Sequence, residues 1–324
     1  MPEMRESSRM RIVFFGSGAF GVPTLEALLV RHEVALVVSQ PDRPAGRGKV
    51  LTPTPIAERA AQLGLPVVKP EDVNEVSVRE AIRAVGADAW VVIAFGQKLS
   101  RELLEGVFAI NLHGSLLPAY RGAAPIQRAV IDGCAESGVS VISLAERMDA
   151  GLVYATAVAP IGPTATSDEV HDQLALLGPS VIEDVLARRA AGTLVGVAQD
   201  ESKATRARKL SKTEATIDLA EVDARTARAR INGLNSWPGC AVLIGDVPVK
   251  LLRVVEEPGW AEGGLAPGIF GPDGVIATRS GAIRVLELQP VGKRAMPLAE
   301  FLAGRARLVG SPVRPMAPAA PLGT

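Results

Sequence analysis

The sequence predicts an α/β protein: an open, mostly parallel, Rossmann-like sheet domain followed by a small β-barrel of OB-like type. Two patterns carry this prediction. Up to about residue 200, short apolar runs alternate with amphipathic helical segments, as βαβ units do. Beyond Trp237, short alternating runs are separated by the tight-turn pairs Gly245-Asp246 and Asp273-Gly274. At 324 residues the chain is long enough for two domains. The expected limits are 1–202 for the sheet domain, 203–214 for a basic linker, 215–311 for the barrel and 312–324 for a disordered Pro-rich tail.

The elements justify this in chain order. Met1–Arg9 is polar and expected to fray. Met10–Phe15 reads as an apolar strand that runs into GSGAFG, after which Pro23 opens a helix. Gly16, Gly18 and Gly21 formally match a dinucleotide-binding fingerprint. The acidic residue which that reading needs at the end of the second strand is missing, since Glu33–Val38 ends in Ser39-Gln40. The glycines therefore read as a tight strand-to-helix turn.

PDRPAGRGK follows, with Arg43, Arg47 and Lys49 among prolines and glycines, and is expected to be an exposed, mobile, cationic loop suited to a phosphate backbone. Helices over 57–63 and 74–85 flank a short strand at Pro66–Val68. Ala89–Phe95 is apolar throughout, as a strand covered on both faces would be, and ends at Gly96-Gln97. Strands at Gly138–Leu144 and Leu152–Ala159 are joined by the turn Arg147–Gly151. Thr166 to Glu169 forms a capping-box pattern for a helix with Val170, Leu174, Leu177 and Val181 inward and His171 on its polar side. Glu201–Lys212 is rich in cations and poor in apolar residues, as a linker or hinge would be. Beyond it lie a short helix over 221–231 and a last helix over 298–305.

Lys plus Arg equals Asp plus Glu, so net charge identifies no partner. The charge is unevenly placed, however: residues 203–324 carry 17 Lys/Arg against 11 Asp/Glu. A basic second half on an acidic first half points toward a polyanion. Two distant cysteines, no signal-type start and no long apolar segment predict a reduced, soluble, intracellular protein. The three histidines, His32, His113 and His171, share no ligand spacing, so no metal is expected.

One stretch concentrates the chemistry, VFAINLHGSLLPAYRGAAPI, from Val107 to Ile126. Val107–Leu112 reads as a buried strand, and Asn111 and His113 leave its end on one side. The carboxyl edge of an open α/β sheet is where such folds keep their ligands. Asp149 is the third polar group that this edge can deliver to His113, and a plain Asp-x-Gly turn reads the same way from spacing alone.

With these residues in view, the chain resembles the 10-formyltetrahydrofolate-dependent formyltransferases, and within them the methionyl-tRNA formyltransferases, from about Arg11 to Val309. The motifs carrying the likeness are QPDRPAGRGK, INLHGSLLPAYRGAAPIQ, Met148-Asp149-Ala150-Gly151 and KLSKTEATID. The resemblance implies that Asn111, His113 and Asp149 are catalytic. It implies that Ser115, Leu116, Leu117 and Pro118 form the tetrahydrofolate-contacting loop and that Phe95, Gly96 and Gln97 face the pterin. It also implies that Arg47, flanked by Arg43 and Lys49, meets the acceptor arm of tRNA, and that Lys209 and Lys212 face the same RNA. The implied reaction is formyl transfer from 10-formyltetrahydrofolate to the α-amino group of methionine on initiator tRNA. The implied enzyme is a cytoplasmic monomer that uses no metal and binds no membrane. The residues alone leave three other readings: a folate-dependent formyltransferase acting on a sugar nucleotide or another amine, a nicotinamide oxidoreductase built on GSGAFG, and a non-catalytic tRNA-binding protein.

Overall fold

The computed structural model describes residues 9–46, 48–260 and 264–316; the expected frayed start before Arg9 and most of the expected tail lie outside them. The chain forms two compact units that are not consecutive halves. The first comprises the chain up to Arg121, Gly138–Ala159 and His171–Arg206. The second comprises Gly122–Ser137, Pro160–Val170 and the chain from Ala207 onward.

The strands of the first part of the chain are β1 (Arg11–Gly16), β2 (Glu33–Val38), β3 (Arg43–Ala45), β4 (Val50–Thr52), β5 (Val67–Val68), β6 (Ala89–Ile93) and β7 (Ala109–His113). After them come β8 (Arg121–Gly122), β9 (Glu136–Ser143), β10 (Val153–Pro160) and β11 (Arg206–Ala207). A seven-stranded sheet has the order β10-β9-β7-β6-β1-β2-β5. The pairs β1–β2, β1–β6, β2–β5 and β6–β7 are parallel, and β9 joins β7 antiparallel. All five residues of β6 are buried, which explains their uninterrupted apolar run.

On β1 the side chains alternate between faces. Val13 and Phe15 join Leu36, Val38, Ile82, Trp90, Val92 and Leu103 in one cluster, with the Phe15 and Trp90 rings 5.1 Å apart. Burying a side chain such as Phe15 stabilises the fold by about 1.5–3 kcal/mol. The chain leaves β1 toward β2 and β5, then crosses back to place β6 and β7 on the other side. The order reverses between β1 and β6, and the carboxyl ends there form the crevice in which open sheets bind ligands.

The second unit holds an antiparallel sheet of β12 (Cys240–Ile244), β13 (Val247–Glu256), β14 (Val275–Ala277), β15 (Ala282–Pro290), β16 (Met296–Pro297) and β17 (Val313–Pro315). Its order is β14-β15-β13-β12-β17, with β16 on β15. The sheet curls until one short segment bridges both edges. Ile269 pairs with Pro312 beside β17, and Phe270 pairs with Ile276 of β14. Phe270 N–H donates to Ser311 O at 2.9 Å and Gly268 N–H to Ala277 O at 2.8 Å, so edge groups that would otherwise be left open are satisfied. Ile231, Val242, Leu251, Phe270, Ile283 and Phe301 fill the interior.

Four expectations are corrected. The cationic segment is not without strands: β3 and β4 pair antiparallel as a hairpin, Arg43 opposite Thr52. The expected linker is locally ordered, with 3₁₀ turns at Glu201–Lys203 and Lys212–Ala215, the latter closed by a Ser211/Glu214 capping box. Of the expected disordered tail, Val313–Pro315 is a strand paired with β12, because a Pro at a strand end costs no ladder hydrogen bond. The helix expected after Thr166 is two helices, Ser167–Ala175 and Gly178–Ala190, the break falling before the Gly178-Pro179 pair. Its capping box is present, with Thr166 N–H donating to Glu169 Oε2 at 3.0 Å.

Candidate active site

β7 delivers two polar side chains to the sheet edge. Asn111 stands opposite Val92 of β6 and Ile142 of β9, and His113 opposite Ser140. The chain then folds over its own exit. Ser115, fully buried, donates from Oγ to Ala119 O at 2.6 Å, while Ser140 Oγ donates to Ser115 O at 2.8 Å and accepts from Leu117 N–H at 3.1 Å. Leu116, Leu117 and Pro118 are left half-buried along the rim. The loop ends at Tyr120, whose φ of 62° lies in the left-handed region.

That conformation turns the Tyr120 carbonyl onto the imidazole, 2.9 Å from His113 Nε2. A carbonyl only accepts, so Nε2 carries a hydrogen. Nδ1 is left facing Asp149, with Oδ1 at 3.7 Å. His113 is 7% and Asp149 14% exposed, so the two meet where water screens them little. The Asn111 amide is half-buried and has no hydrogen-bond partner among the described residues, which leaves its N–H groups available to a ligand.

Asp149 sits on the turn between β9 and β10 with φ 55°, in the left-handed region that Asp adopts in turns more readily than most residues. Gln199 holds that turn: its Nε2 donates to Asp149 O at 2.7 Å and to Gly151 O at 2.8 Å. Its Oε1 accepts from Arg121 Nη2 at 2.7 Å and Nε at 3.0 Å. Arg121, a buried cation, continues to Glu201 at 2.9 Å, which Arg147 also reaches at 2.8 Å. Hydrogen bonds from Arg121 and then Arg147 pull the Glu201 carboxyl down to about 2. The same stretch pins the His113 loop, since Tyr120 N–H donates to Thr205 Oγ1 at 2.8 Å.

The carboxyl ends of β1, β2 and β6 add a polar seam. Ser17 Oγ donates to Phe95 O at 2.9 Å and Gln40 Nε2 to the same oxygen at 3.2 Å. The Phe95 ring is buried in the core, edge-on to Phe15 at 5.6 Å, so only its backbone reaches this edge. Gly96 takes φ 87°. The Gln97 amide is committed to the chain, accepting from Val73 N–H at 2.8 Å and donating to Pro70 O at 3.1 Å.

Arg43, Lys49, Lys209 and Lys212 are exposed and apart from this pair in sequence. Arg43 is on β3 in an open ion pair with Glu71 at 2.7 Å, and Lys49 is at the hairpin turn. Arg47 lies outside the described residues. Lys209 and Lys212 are exposed on the second unit.

The sequence marks Asn111, His113 and Asp149 as candidates but gives no sign of Gln199, Arg121, Tyr120 and Thr205. Their contacts span up to 85 positions along the chain and leave no periodic signal. The one local cue is an arginine between Tyr120 and Gly122 in a loop that otherwise has no charge.

Among the described residues no cluster of three or more His, Cys, Asp or Glu could hold a metal ion, and no helix is long and apolar enough to cross a membrane. Comparison with known proteins finds a Formyl transferase family match over residues 10–186 and a Formyl transferase, C-terminal domain match over residues 209–306. A methionyl-tRNA formyltransferase of Sorangium cellulosum is 39% identical over 93% of this chain and 98% of its own. One from Paracoccus denitrificans is 42% identical over 92% of this chain and 98% of its own. Among solved structures, HypX from Aquifex aeolicus in complex with tetrahydrofolic acid superposes with a TM-score of 0.61 at 19% identity. It is matched over 91% of this chain but only 47% of that longer one.

Proposed function

The chain belongs to the formyl transferase family, and from that membership we propose that it transfers the formyl group of 10-formyltetrahydrofolate to the α-amino group of methionine on initiator tRNA. One observation carries the acceptor. Relatives named for the tRNA reaction match at 39–42% over more than nine-tenths of the chain, and the C-terminal family match falls in the second unit.

The residue types at the β7 edge suit this chemistry. An α-amino group titrates at about 7.7–8.0, so neutral amine is present near neutral pH without a strong base. Its attack on the formyl carbon forms the new C–N bond and throws charge onto the formyl oxygen. In the proposed roles, Asn111 Nδ2 donates to that oxygen, and His113 donates from Nδ1 in its protonated form, since its Nε2–H is held by the Tyr120 carbonyl, each well-placed donor being worth about 3–4 kcal/mol. Asp149 orients His113 and balances its charge while the proton lost by the amine passes to the departing folate nitrogen. The rim of Leu116, Leu117 and Pro118, the buried Ser115 that shapes it and the backbone at Phe95, Gly96 and Gln97 would bind the folate. Ser115 and Gln97 would act through the loops they brace, since their side-chain hydrogen bonds go to the chain itself.

For the RNA, the candidates are Arg43 and Lys49 of the β3–β4 hairpin, Arg47 between them in sequence, and Lys209 and Lys212. Exposed cations on a short hairpin can follow a phosphate backbone without reading bases. Residues 1–202 would supply catalysis and 215–311 further RNA contact, the protein acting as a monomer in the cytoplasm, where charged initiator tRNA is used. The deciding experiment offers 10-formyltetrahydrofolate with either methionyl-tRNA or an amino-sugar nucleotide. Formylation of the methionine and not of the sugar is expected; the reverse preference overturns the assignment.

A further inference from the structure

We propose that Gln199 is a positioning residue for this reaction, setting where Asp149 stands relative to His113. The inference rests on the proposed role of Asp149. At 3.7 Å, His113 Nδ1 and Asp149 Oδ1 are beyond hydrogen-bond distance, so their coupling depends on where the 149–151 turn is held. A shift of under 1 Å makes or abolishes the contact.

Gln199 is the residue whose one side chain grips that turn at two points, through the carbonyls of Asp149 and Gly151. Both hydrogens of its amide are used, so the group can neither rotate nor flip without losing a bond. Its oxygen is fixed in turn by two donors of Arg121, and Arg121 is clamped to Glu201. A charged fork on the amide oxygen polarises the amide and strengthens its two donations.

The segment also reaches the other partner. Thr205, six residues on, accepts from Tyr120 N–H, and the Tyr120 carbonyl accepts from His113 Nε2. Residues 199–205 thus brace both members of the pair from one strap. An Asp can take the left-handed φ of 55° within a turn, and the two Gln199 bonds fix where that turn stands.

The test compares Gln199→Ala, Asp149→Ala and the double variant, with kcat and KM measured for both substrates. Gln199→Ala is expected to lower kcat about 10- to 100-fold, with both KM values within about twofold and a displaced pH profile of kcat. In the Asp149→Ala background the same change should have no further effect, because the group being positioned is already gone. An equal loss in both backgrounds overturns the inference. Wild-type turnover by Asp149→Ala overturns instead the catalytic reading on which it rests. Gln199→Glu guards against misfolding: it keeps the shape and the Arg121 contact but donates to neither carbonyl, and should match Gln199→Ala in kcat while circular dichroism at the assay temperature shows a folded protein. Wild-type kcat for Gln199→Glu also overturns the inference.

Discussion

Gly151→Ala is the smallest change that tests how strictly the Asp149 turn is placed. A Cβ built on Gly151 stands 1.8 Å from Ser143 O and 2.7 Å from both Ser143 C and Oγ, where ordinary contact begins at 3.4 Å. The obstacle is backbone, so relief needs a shift of about 1.6 Å in the turn or in the end of β9. That end is itself pinned, Ser143 N–H donating to Leu152 O and Leu152 N–H to Ser143 Oγ, each at 2.9 Å. Overpacking of this kind costs about 1–3 kcal/mol, and each ladder bond lost adds about 1 kcal/mol. At about 2–4 °C per kcal/mol for a domain of this size, the melting temperature should fall by about 5–10 °C. Activity should suffer more than stability, because Asp149 is two residues away and a 1 Å misplacement costs about 100-fold in rate. Thermal melts and steady-state kinetics on the same preparation separate the two effects. A folded Gly151→Ala protein with kcat within twofold of wild type would refute the claim that the position of this turn limits the reaction.

Further predictions concern the site, the RNA and pH. His113→Ala and Asp149→Ala should each lower kcat by about 10²–10⁴ while folate still binds, as read by equilibrium titration; wild-type turnover by either speaks against its role. Arg47→Ala should raise KM for tRNA, flatten its dependence on salt and leave folate affinity unchanged, measured at matched ionic strength. Glu201, held down to about 2 from an ordinary 4.5 by Arg121 and Arg147, favours the folded state above pH 4.5 and loses that contribution as pH falls from 4.5 toward 2. Melting temperatures of Glu201→Gln should therefore fall less steeply than those of wild type across that window; parallel curves would show that the carboxylate contributes nothing.

Much of the fold was legible because burial imposes periodicity. The five apolar residues of β6 announced a strand covered on both faces, and the alternation of β13 and β15 announced a curled sheet. Asn111 and His113 could be placed at a strand's carboxyl end because that is a local feature, whereas Asp149 read equally well as a plain Asp-x-Gly turn and stood out as a site residue only through the family resemblance. What was hidden is what composition masks or distance separates. Proline and glycine in PDRPAGRGK argued against any strand, yet β3 and β4 need only their partner, and β17 escaped notice for the same reason. Barrel closure through Ile269 and Phe270 depends on two pairings that no window of sequence contains. Gln199 meets Asp149 across 50 positions, and a single amide in a polar segment carries no pattern that marks it.

The most direct measurement is mass analysis of the amino acid released from initiator tRNA after incubation with 10-formyltetrahydrofolate and the protein. Wild type should yield formylmethionine, and an Asn111→Ala/His113→Ala/Asp149→Ala variant that still binds both substrates should yield methionine alone. Unmodified methionine from the wild-type reaction, or formylmethionine from the triple variant at the wild-type rate, would contradict the account.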